Sequence, residues 1–254
     1  MIQISENSLD LFHFSNLSAC PGLIHGVLTR HGGSSPPPFD SLNMSVSAGD
    51  TPDNVGRNRA VVSACFDGLP LIFLNQVHGD KILVFSRDDP APDPAQKRQG
   101  DAMITNRPGL LLAVKLADCQ GVLLHDPDKK VAAAVHSGWR GSVADIIGKT
   151  IDRMKTAFGC RPGDILAGIS PSLGPCCAEF VNYKNELPAH FRPYKDDRDH
   201  FDFWRISRDQ MATAGLLEKN IEIAGVCTSC RTDLFYSYRK EGRTGRFTVV
   251  AGLI

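Results

Sequence analysis

The sequence lacks a net charge, a long hydrophobic run and a basic leader. It carries 28 Lys and Arg against 28 Asp and Glu, so no overall field draws the chain to nucleic acid or to an anionic membrane. The most apolar stretch, residues 110–124, is interrupted by Lys115 and Asp118 and is shorter than the roughly 20 residues of a transmembrane helix. Glu6 stands where a secretory signal would carry base. We therefore expect a cytoplasmic protein with no nucleic-acid or membrane partner.

Aromatic and charged residues are also sparse, at 7% and 22% of the 254 residues, whereas 42% of the residues are hydrophobic. A chain of this length and composition buries a substantial core, which excludes an intrinsically disordered protein. We interpret the eight cysteines as reduced thiols, because disulfide frameworks are typical of small secreted domains.

Strand-like and helical segments alternate along the whole sequence. Helices are predicted over residues 52–66, capped by Thr51; over 143–158, between Ser142 as N-cap and Gly159 as stop; and over 207–219. Several strand-like runs are apolar at every position, which is typical of strands covered on both faces. The pattern predicts a single α+β or α/β domain over residues 1–254. The predicted strands are 71–75, 82–85, 102–105, 110–116, 122–125, 131–136, 165–169, 221–226 and 247–253.

Cys119 and His136 bracket a predicted β-hairpin. Asp126 and Pro127 suit the first positions of a type I turn, and a hairpin symmetric about Pro127 and Asp128 places Cys119 directly opposite His136. Opposed residues share a face with Cβ atoms about 4.5–5.5 Å apart, which is close enough for both to bind one metal ion. A slip of one residue would turn the two side chains to opposite faces, so the prediction depends on the register.

His78, in the run Asn75-Gln76-Val77-His78-Gly79, is a candidate third ligand. A His, Cys, His set leaves the fourth position of a tetrahedral zinc ion for water or substrate, which is the arrangement of catalytic zinc sites. The same residues admit metal-free covalent chemistry, with Cys119 as the thiolate nucleophile and His136 as its base. The residues alone leave both alternatives open.

A possible anion site follows His136. The run Ser137-Gly138-Trp139-Arg140-Gly141-Ser142 joins a predicted strand to a predicted helix, so free N–H groups and the positive end of the helix dipole meet there. Arg140 adds a forked donor suited to phosphate or carboxylate. The alternative interpretation is a tight turn with Arg140 in a surface ion pair.

The remaining cysteine groups are interpreted as structural thiols. Cys227-Thr228-Ser229-Cys230 has the spacing of redox and zinc-ribbon motifs, but the sequence holds no second pair with this spacing. Cys176 and Cys177 are adjacent, and adjacent side chains of an extended chain point to opposite sides. We therefore do not expect both of them to face one ion.

A dispersed set of motifs resembles the YfiH/PgeF family, whose members are described as laccase-domain proteins or multicopper polyphenol oxidases and also as zinc-dependent purine nucleoside enzymes. The matching stretches, in order from about residue 24 to the C-terminus, are Thr29-Arg30-His31-Gly32-Gly33, Ser41-Leu42-Asn43, Gly49-Asp50 with Val55 and Asn58-Arg59, Gln76-Val77-His78-Gly79, Gly100-Asp101-Ala102, Ala117-Asp118-Cys119, His136-Ser137-Gly138-Trp139-Arg140-Gly141, Cys227-Thr228, Ser237-Tyr238-Arg239 and Thr244-Gly245-Arg246.

The resemblance implies a layered sandwich of mixed β-sheets flanked by helices, similar to the cysteine-hydrolase fold of the cytotoxic necrotizing factor catalytic domain. It implies His78, Cys119 and His136 as ligands of a zinc ion. Copper is the less favoured metal, because eight histidines are too few for a multicopper cluster. The implied activities are phosphorolysis of adenosine, inosine and methylthioadenosine, and hydrolytic deamination of adenosine.

On this interpretation Cys119, His136 and Asp118 are catalytic, and Asp118 acts as a proton carrier or as a partner of the neighbouring ligand. A nucleoside and phosphate are the expected partners. They are assigned to Arg30, His31, Asn43, Gln76, Arg140, Arg239 and Arg246.

Two other activities remain open. An amidase-type hydrolase would use the Cys119 and His136 pair to remove serine from peptidoglycan precursors, as the resemblance also implies, and a copper polyphenol oxidase is less favoured. The sequence departs from the family pattern at Ser170, Ala178 and Lys240. Ala178 stands where the family has an aromatic residue that could stack on a base.

Overall fold

The computed structural model describes residues 1–6 and 9–254, and twelve strands lie within these residues. The strands are β1 Ile2–Glu6, β2 Leu9–His13, β3 Leu23–Leu28, β4 Leu71–Phe73, β5 Ile82–Phe85, β6 Ala102–Thr105, β7 Leu110–Leu116, β8 Gln120–Asp126, β9 Val131–Ser137, β10 Leu166–Ile169, β11 Ile221–Ile223 and β12 Phe247–Leu253. The helices are α1 Ser15–Ser18, α2 Pro52–Cys65, α3 Trp139–Val143, α4 Ile146–Phe158, α5 Tyr183–Glu186, α6 Phe203–Thr213 and α7 Tyr238–Glu241.

The strands form two six-stranded sheets. The first has the order β1-β2-β3-β12-β7-β4, and the second has the order β11-β10-β8-β9-β6-β5. Most neighbours are antiparallel, whereas β4 with β7, β5 with β6 and β10 with β11 are parallel. Both sheets are therefore mixed, as the resemblance implies.

The two sheets pack face to face between outer layers of helices. Val27 and Val249 of the first sheet share a buried cluster with Met103 and Leu123 of the second. Helices α4 and α6 cover the outer face of the second sheet, and α2 covers that of the first. Because both faces of β8 and β9 are covered, every residue of these strands is buried, which explains their unbroken apolar runs. The predicted layered α+β sandwich is confirmed.

Helix α2 begins as predicted, with the Thr51 side chain accepting the N–H of Asn54. The predicted helix 143–158 is two helices instead. Asp145 adopts a left-handed conformation with φ of 53° and caps α4 by accepting the N–H of Gly148, so Ser142 is not the cap. Gly159 ends α4 as predicted, with φ of 68°.

Helix α6 begins four residues before the predicted helix 207–219, because Asp202 caps it by accepting the N–H of Arg205. Strands β1, β2 and β3 were not predicted from the sequence. Within the described residues, no helix combines the length and apolarity needed to span a bilayer.

The β8–β9 hairpin has a register different from the predicted one. Gly121 is opposite His136, and Asp126 is opposite Val131. The loop therefore has four residues, 127–130, and Lys130 adopts a left-handed conformation with φ of 51°. The predicted direct opposition of Cys119 and His136 is wrong. The shift is by two positions, however, so Cys119 lies diagonal to His136 and can still reach it on the same face.

Candidate active site

A pocket of about 530 Å³ lies where the ends of β7, β8 and β9 meet the surrounding loops. Its volume is typical of sites for small molecules. The wall combines polar groups with the aromatic side chains of Trp139, Phe180, Phe203 and Tyr238. The pocket is therefore suited to a ligand that has both a flat apolar part and a polar part.

His78, Cys119 and His136 meet at the wall of this pocket. His78 follows β4 in a loop, Cys119 lies in the bend between β7 and β8, and His136 is near the end of β9. Their candidate donor atoms all lie within 4.8 Å of one another, and the two imidazole rings meet edge to face with centroids 4.8 Å apart. His136 is buried and His78 is exposed, so the group faces the pocket from one side. The structure thus brings together the three residues proposed as metal ligands.

Asp101 organises two of these three residues. Its Oδ1 atom lies 2.8 Å from Nδ1 of His136 and accepts the backbone N–H of His78 at 2.9 Å. Its Oδ2 atom accepts the N–H groups of Val77 and Gly79 at 3.2 and 2.9 Å. Burial opposes the charge of Asp101, but the hydrogen bonds from His136 and Gly79 outweigh it and lower the pKa of this carboxyl. A bond from Nδ1–H to Asp101 leaves Nε2 of His136 free as a ligand.

Cys119 and His136 form a coupled pair. Burial raises the pKa of the Cys119 thiol, but the positive charge and hydrogen bond of His136, together with His78, outweigh burial and lower this pKa to about 6. Burial lowers the pKa of His136, but Cys119 and Asp101 outweigh it and raise this pKa to about 9. The thiolate form that binds metals and attacks electrophiles is therefore favoured at neutral pH.

The space between the three side chains depends on a glycine. A Cβ atom at Gly138 would lie 3.0 Å from Sγ of Cys119 and 3.2 Å from Cδ2 of His78. The backbone of Gly138 is extended, with φ of −80°, so its conformation does not by itself require glycine. The glycine keeps this volume free, and the set of one sulfur and two imidazole donors has the chemistry of a zinc site.

Asp118 lines the pocket but is held by surrounding donors. Its Oδ1 atom accepts the hydroxyls of Thr228 and Ser237, both at 2.7 Å, and its Oδ2 atom accepts the N–H of Arg239 at 2.6 Å. Asp118 itself adopts a left-handed conformation with φ of 86°. Through these hydrogen bonds the carboxylate holds Thr228, Ser237 and Arg239 in place beside the end of β7.

The cationic side chains that line the pocket are Lys115, Arg239 and Arg246. Burial lowers the pKa of Lys115 to about 8, and the nearby charge of Arg59 adds to this effect. Gln76 also lines the pocket and holds the backbone of Lys115 through two hydrogen bonds of 2.9 and 3.0 Å.

The other predicted ligand-binding residues lie outside the pocket lining. Arg30 is buried in an ion pair with Glu241 at 2.8 Å. His31 is exposed, and Asn43 is buried and accepts the N–H of Arg246 at 2.9 Å. Arg140 is exposed and stacks on its neighbour in the five-residue helix α3, with its guanidinium 4.3 Å from the indole centroid.

The sequence did not predict Asp101, Lys115 or the four aromatic residues of the pocket wall as site residues. A charged residue at the start of the buried strand β6 was the available signal for Asp101, because a buried carboxylate requires partners. The aromatic residues come from four separate segments, so no local pattern connects them. Another group was also misjudged, since Cys176, Cys177, Cys227 and Cys230 come together with sulfurs within 4.8 Å of one another.

The chain matches one known family over most of its length. A family model described as multi-copper polyphenol oxidoreductase laccase matches residues 24–254. The chain belongs to this family, the YfiH/YlmD family. A protein of Bacteroides thetaiotaomicron named purine nucleoside phosphorylase is 31% identical, and the match covers 100% of this chain and 99% of the relative. A protein of Deinococcus radiodurans with the same name is 35% identical, with 90% and 88% covered.

Solved structures of the YfiH/YlmD family share the fold. The crystal structure of the hypothetical protein YfiH of Bacillus licheniformis has a TM-score of 0.84 at 29% identity, and the match covers 91% of this chain and 93% of that one. The structure of YlmD from Geobacillus stearothermophilus has a TM-score of 0.83 at 29% identity, with 94% of each chain covered.

The histidine content and Ala178 bear on the copper chemistry and the base binding that the family descriptions and pattern suggest. Of the eight histidines, His78 and His136 line the pocket, which is fewer than a multicopper cluster needs. Ala178 is fully buried in a cluster that includes Phe201 and Phe203. This departure from the family pattern therefore lies outside the pocket lining, whereas Phe180 lines the pocket.

Proposed function

We propose that this protein is a zinc-dependent purine nucleoside enzyme that cleaves adenosine, inosine or methylthioadenosine with phosphate. The observation that carries this proposal is that the His78, Cys119 and His136 group lies in one pocket together with aromatic walls and cationic side chains. The relatives named purine nucleoside phosphorylase, which match at 31–35% identity over most of the chain, support the reaction class.

The aromatic wall suits the purine base. The rings of Phe180 and Phe203 lie 5.2 Å apart, and the Trp139 ring meets that of Phe180 edge to face at 6.4 Å. A planar base gains both apolar burial and stacking against such rings. We assign the base to this side of the pocket.

The cationic side suits phosphate. Lys115, Arg239 and Arg246 supply charge-assisted donors to a phosphate dianion, and arginine offers two parallel N–H groups to it. In phosphorolysis a phosphate oxygen forms a bond to C1′ of the ribose as the bond from C1′ to the base breaks. The base leaves with the electron pair of that bond and takes a proton, and ribose 1-phosphate is the second product.

The remaining residues prepare the site for zinc, which when bound by His78, Cys119 and His136 supplies Lewis-acid chemistry. Asp101 fixes the His136 ring and the loop that carries His78, so the ligands are ordered before substrate binds. Asp118 is a positioning residue, because it holds the backbone N–H of Arg239 and so places this side chain at the pocket.

Hydrolytic deamination of adenosine, in which water replaces the amino group at C6 and ammonia leaves, is the second activity that we propose for the same pocket. The site offers the nitrogen and sulfur donors of a zinc site, as zinc deaminases do, but with two His and one Cys in place of one His and two Cys. Both activities share the base-binding wall, whereas phosphorolysis alone requires the phosphate donors.

A metal-free hydrolase is the alternative supported by a specific observation. Cys119, His136 and Asp101 form a nucleophile, a base and an orienting carboxylate in hydrogen-bonded sequence, which is the arrangement of a cysteine hydrolase. Such an enzyme would act as an amidase that removes serine from peptidoglycan precursors.

A product assay with purified zinc-loaded protein tests these proposals. Adenosine with phosphate should give adenine and ribose 1-phosphate, and adenosine without phosphate should give inosine and ammonia. His136→Ala should abolish both reactions, whereas His190→Ala, an exposed histidine outside the pocket lining, should leave both unchanged. Wild-type rates in His136→Ala would refute the proposal. Chelator-resistant amide hydrolysis that alkylation of Cys119 abolishes would favour the hydrolase.

A further inference from the structure

Four cysteine sulfurs from two distant chain segments meet beside the pocket wall. The Sγ atoms of Cys176, Cys177, Cys227 and Cys230 all lie within 4.8 Å of one another. Sγ of Cys230 is 3.6 Å from that of Cys176, 54 positions away, and 3.6 Å from that of Cys177. All four are free thiols, and none of them lines the pocket. The group therefore shares no residue with the His78, Cys119 and His136 group.

Two turns direct the sulfurs toward one point. The N–H of Cys177 donates to the carbonyl of Gly174 at 2.9 Å, so Cys176 and Cys177 lie in a turn and not in an extended chain. Successive side chains of a helical turn differ by about 100° in direction, so both can face one ion. A second turn spans residues 228–230 and returns Cys230 toward Cys227. The extended chain assumed for Cys176 and Cys177 from the sequence is therefore wrong, because the two residues lie in a turn.

The spacing fits a single tetrahedral ion. Zinc–sulfur bonds of about 2.3 Å at tetrahedral angles separate neighbouring sulfurs by about 3.8 Å, and two of the separations here are 3.6 Å. An iron–sulfur cluster places its own iron and sulfide atoms between the cysteine sulfurs and needs a wider cage. Soft thiolate donors in a tetrahedral set favour zinc among the common divalent ions.

The surroundings also suit a bound thiolate. The N–H of Gly174 donates to Sγ of Cys227 at 3.3 Å, and hydrogen bonds of this kind orient and stabilise metal ligands. A Cβ atom at Gly174 would lie 2.8 Å from the Trp204 ring and 3.0 Å from Cβ of Cys227. Glycine at this position thus permits the close approach of the two segments.

We propose that Cys176, Cys177, Cys227 and Cys230 bind one zinc ion as a structural site separate from the pocket group. The four thiols release their protons to solvent when the ion binds. Four protein ligands complete the tetrahedral shell of this ion, so no coordination position is left for water or substrate.

The ion would brace the wall of the pocket. The N–H of Leu173 donates to the carbonyl of Asp118 at 2.8 Å, and Thr228 donates to the Asp118 carboxylate. The guanidinium of Arg239 donates to the carbonyl of Cys177 at 3.0 Å. The two cysteine segments therefore hold Asp118 and Arg239, and the ion links these segments to each other.

Metal content measured by mass spectrometry on the purified, intact protein tests the proposal. We expect two zinc ions per chain in the wild type, one in His136→Ala and one in the double variant Cys176→Ser/Cys230→Ser. Cys20→Ser removes a thiol that belongs to neither group and should retain two ions. With cobalt in place of zinc, His136→Ala should show the intense sulfur-to-metal charge-transfer bands of a four-thiolate site, and the double variant should lose this signature.

A second measurement on the wild type holds even if the double variant fails to fold. Denatured protein should give eight reactive thiols per chain, and a stoichiometric thiol reagent should release two zinc ions from native protein. One ion in the wild type and none in His136→Ala would overturn the proposal. A count of six thiols would overturn it as well, because it would show a disulfide in place of the metal. Loss of nucleoside turnover alone would concern only the pocket and leaves these metal counts unchanged.

Discussion

Replacing Asp101 with asparagine should uncouple His78 and His136 from each other. Each oxygen of this carboxylate accepts two hydrogen bonds, and the side chain is fully buried. An amide has one acceptor oxygen, so its NH₂ group must face two donors in either orientation. If it faces His136, the imidazole must present a bare Nδ1 and carry its proton on Nε2, where it can no longer bind a metal.

The magnitude follows from the bonds lost. Loss of two charge-assisted hydrogen bonds, each contributing about 1.5 kcal/mol, should lower the free energy of unfolding of the metal-free protein by about 3 kcal/mol. Loss of the orienting carboxylate should weaken zinc binding about 10- to 100-fold. Denaturant titration measures the first quantity, and competition with a chromophoric chelator measures the second.

Asp80→Asn is the matched control for this prediction. Asp80 lies in the loop that carries His78 and pairs with Lys149 at 2.5 Å, but both side chains are 49% exposed. Exposed pairs contribute little, so its loss should cost no more than about 0.5 kcal/mol and leave zinc affinity unchanged. An Asp101→Asn protein with wild-type zinc affinity would show that this carboxylate does not organise the site.

Three further predictions concern the pocket. In metal-free protein the alkylation rate of Cys119 should rise with pH through an inflection near 6, because His136 and His78 lower the pKa of this thiol to about 6. In His136→Ala the inflection should move above about 8. An inflection at the same pH in both proteins would contradict the pairing of Cys119 with His136. Gly138→Ala should weaken zinc binding at least tenfold, because its Cβ would lie 3.0 Å from Sγ of Cys119. Gly163→Ala is the control and should bind zinc normally, because no atom of the described residues lies within 4 Å of its new Cβ. Equal affinities of the two variants in a chelator titration would refute the steric explanation. Arg246→Met should raise the KM for phosphate about 10- to 100-fold, because it removes a charge-assisted donor. Deamination of adenosine without phosphate should persist in this variant. Equal losses of both reactions in steady-state kinetics would contradict the assignment of Arg246 to phosphate.

The central strands could be predicted from the sequence because burial on both faces demands continuous apolar residues. The predicted bounds of β6, β7 and β12, which lie inside the sheets, equal those of the structure, as do those of the half-buried edge strand β5. Strands β1 and β2 have five residues each and mix apolar with polar residues, and β3 contains His25 and Gly26. Such short, mixed segments become strands because the neighbouring strands pair with them, which a local pattern does not reveal.

The site was predictable only in part, since its residues meet through tertiary contacts. Cys119 and His136 lie on one face of the hairpin although its register differs from the predicted one, because the difference is an even number of residues. The left-handed Lys130 that sets the four-residue loop has no sequence signal, because lysine rarely adopts this conformation. The role of Asp101 could not be predicted from the sequence, because it depends on the contact between the start of β6 and the loop after β4, which only the tertiary structure reveals.

The most direct measurement is anomalous X-ray diffraction at the zinc absorption edge from crystals of the zinc-loaded protein. We predict a peak about 2.3 Å from Sγ of Cys119 and about 2.1 Å from one imidazole nitrogen each of His78 and His136, with this peak absent in His136→Ala. Absence of a peak at these three residues, in protein that still converts adenosine and phosphate to adenine and ribose 1-phosphate, would contradict the metal-centred account.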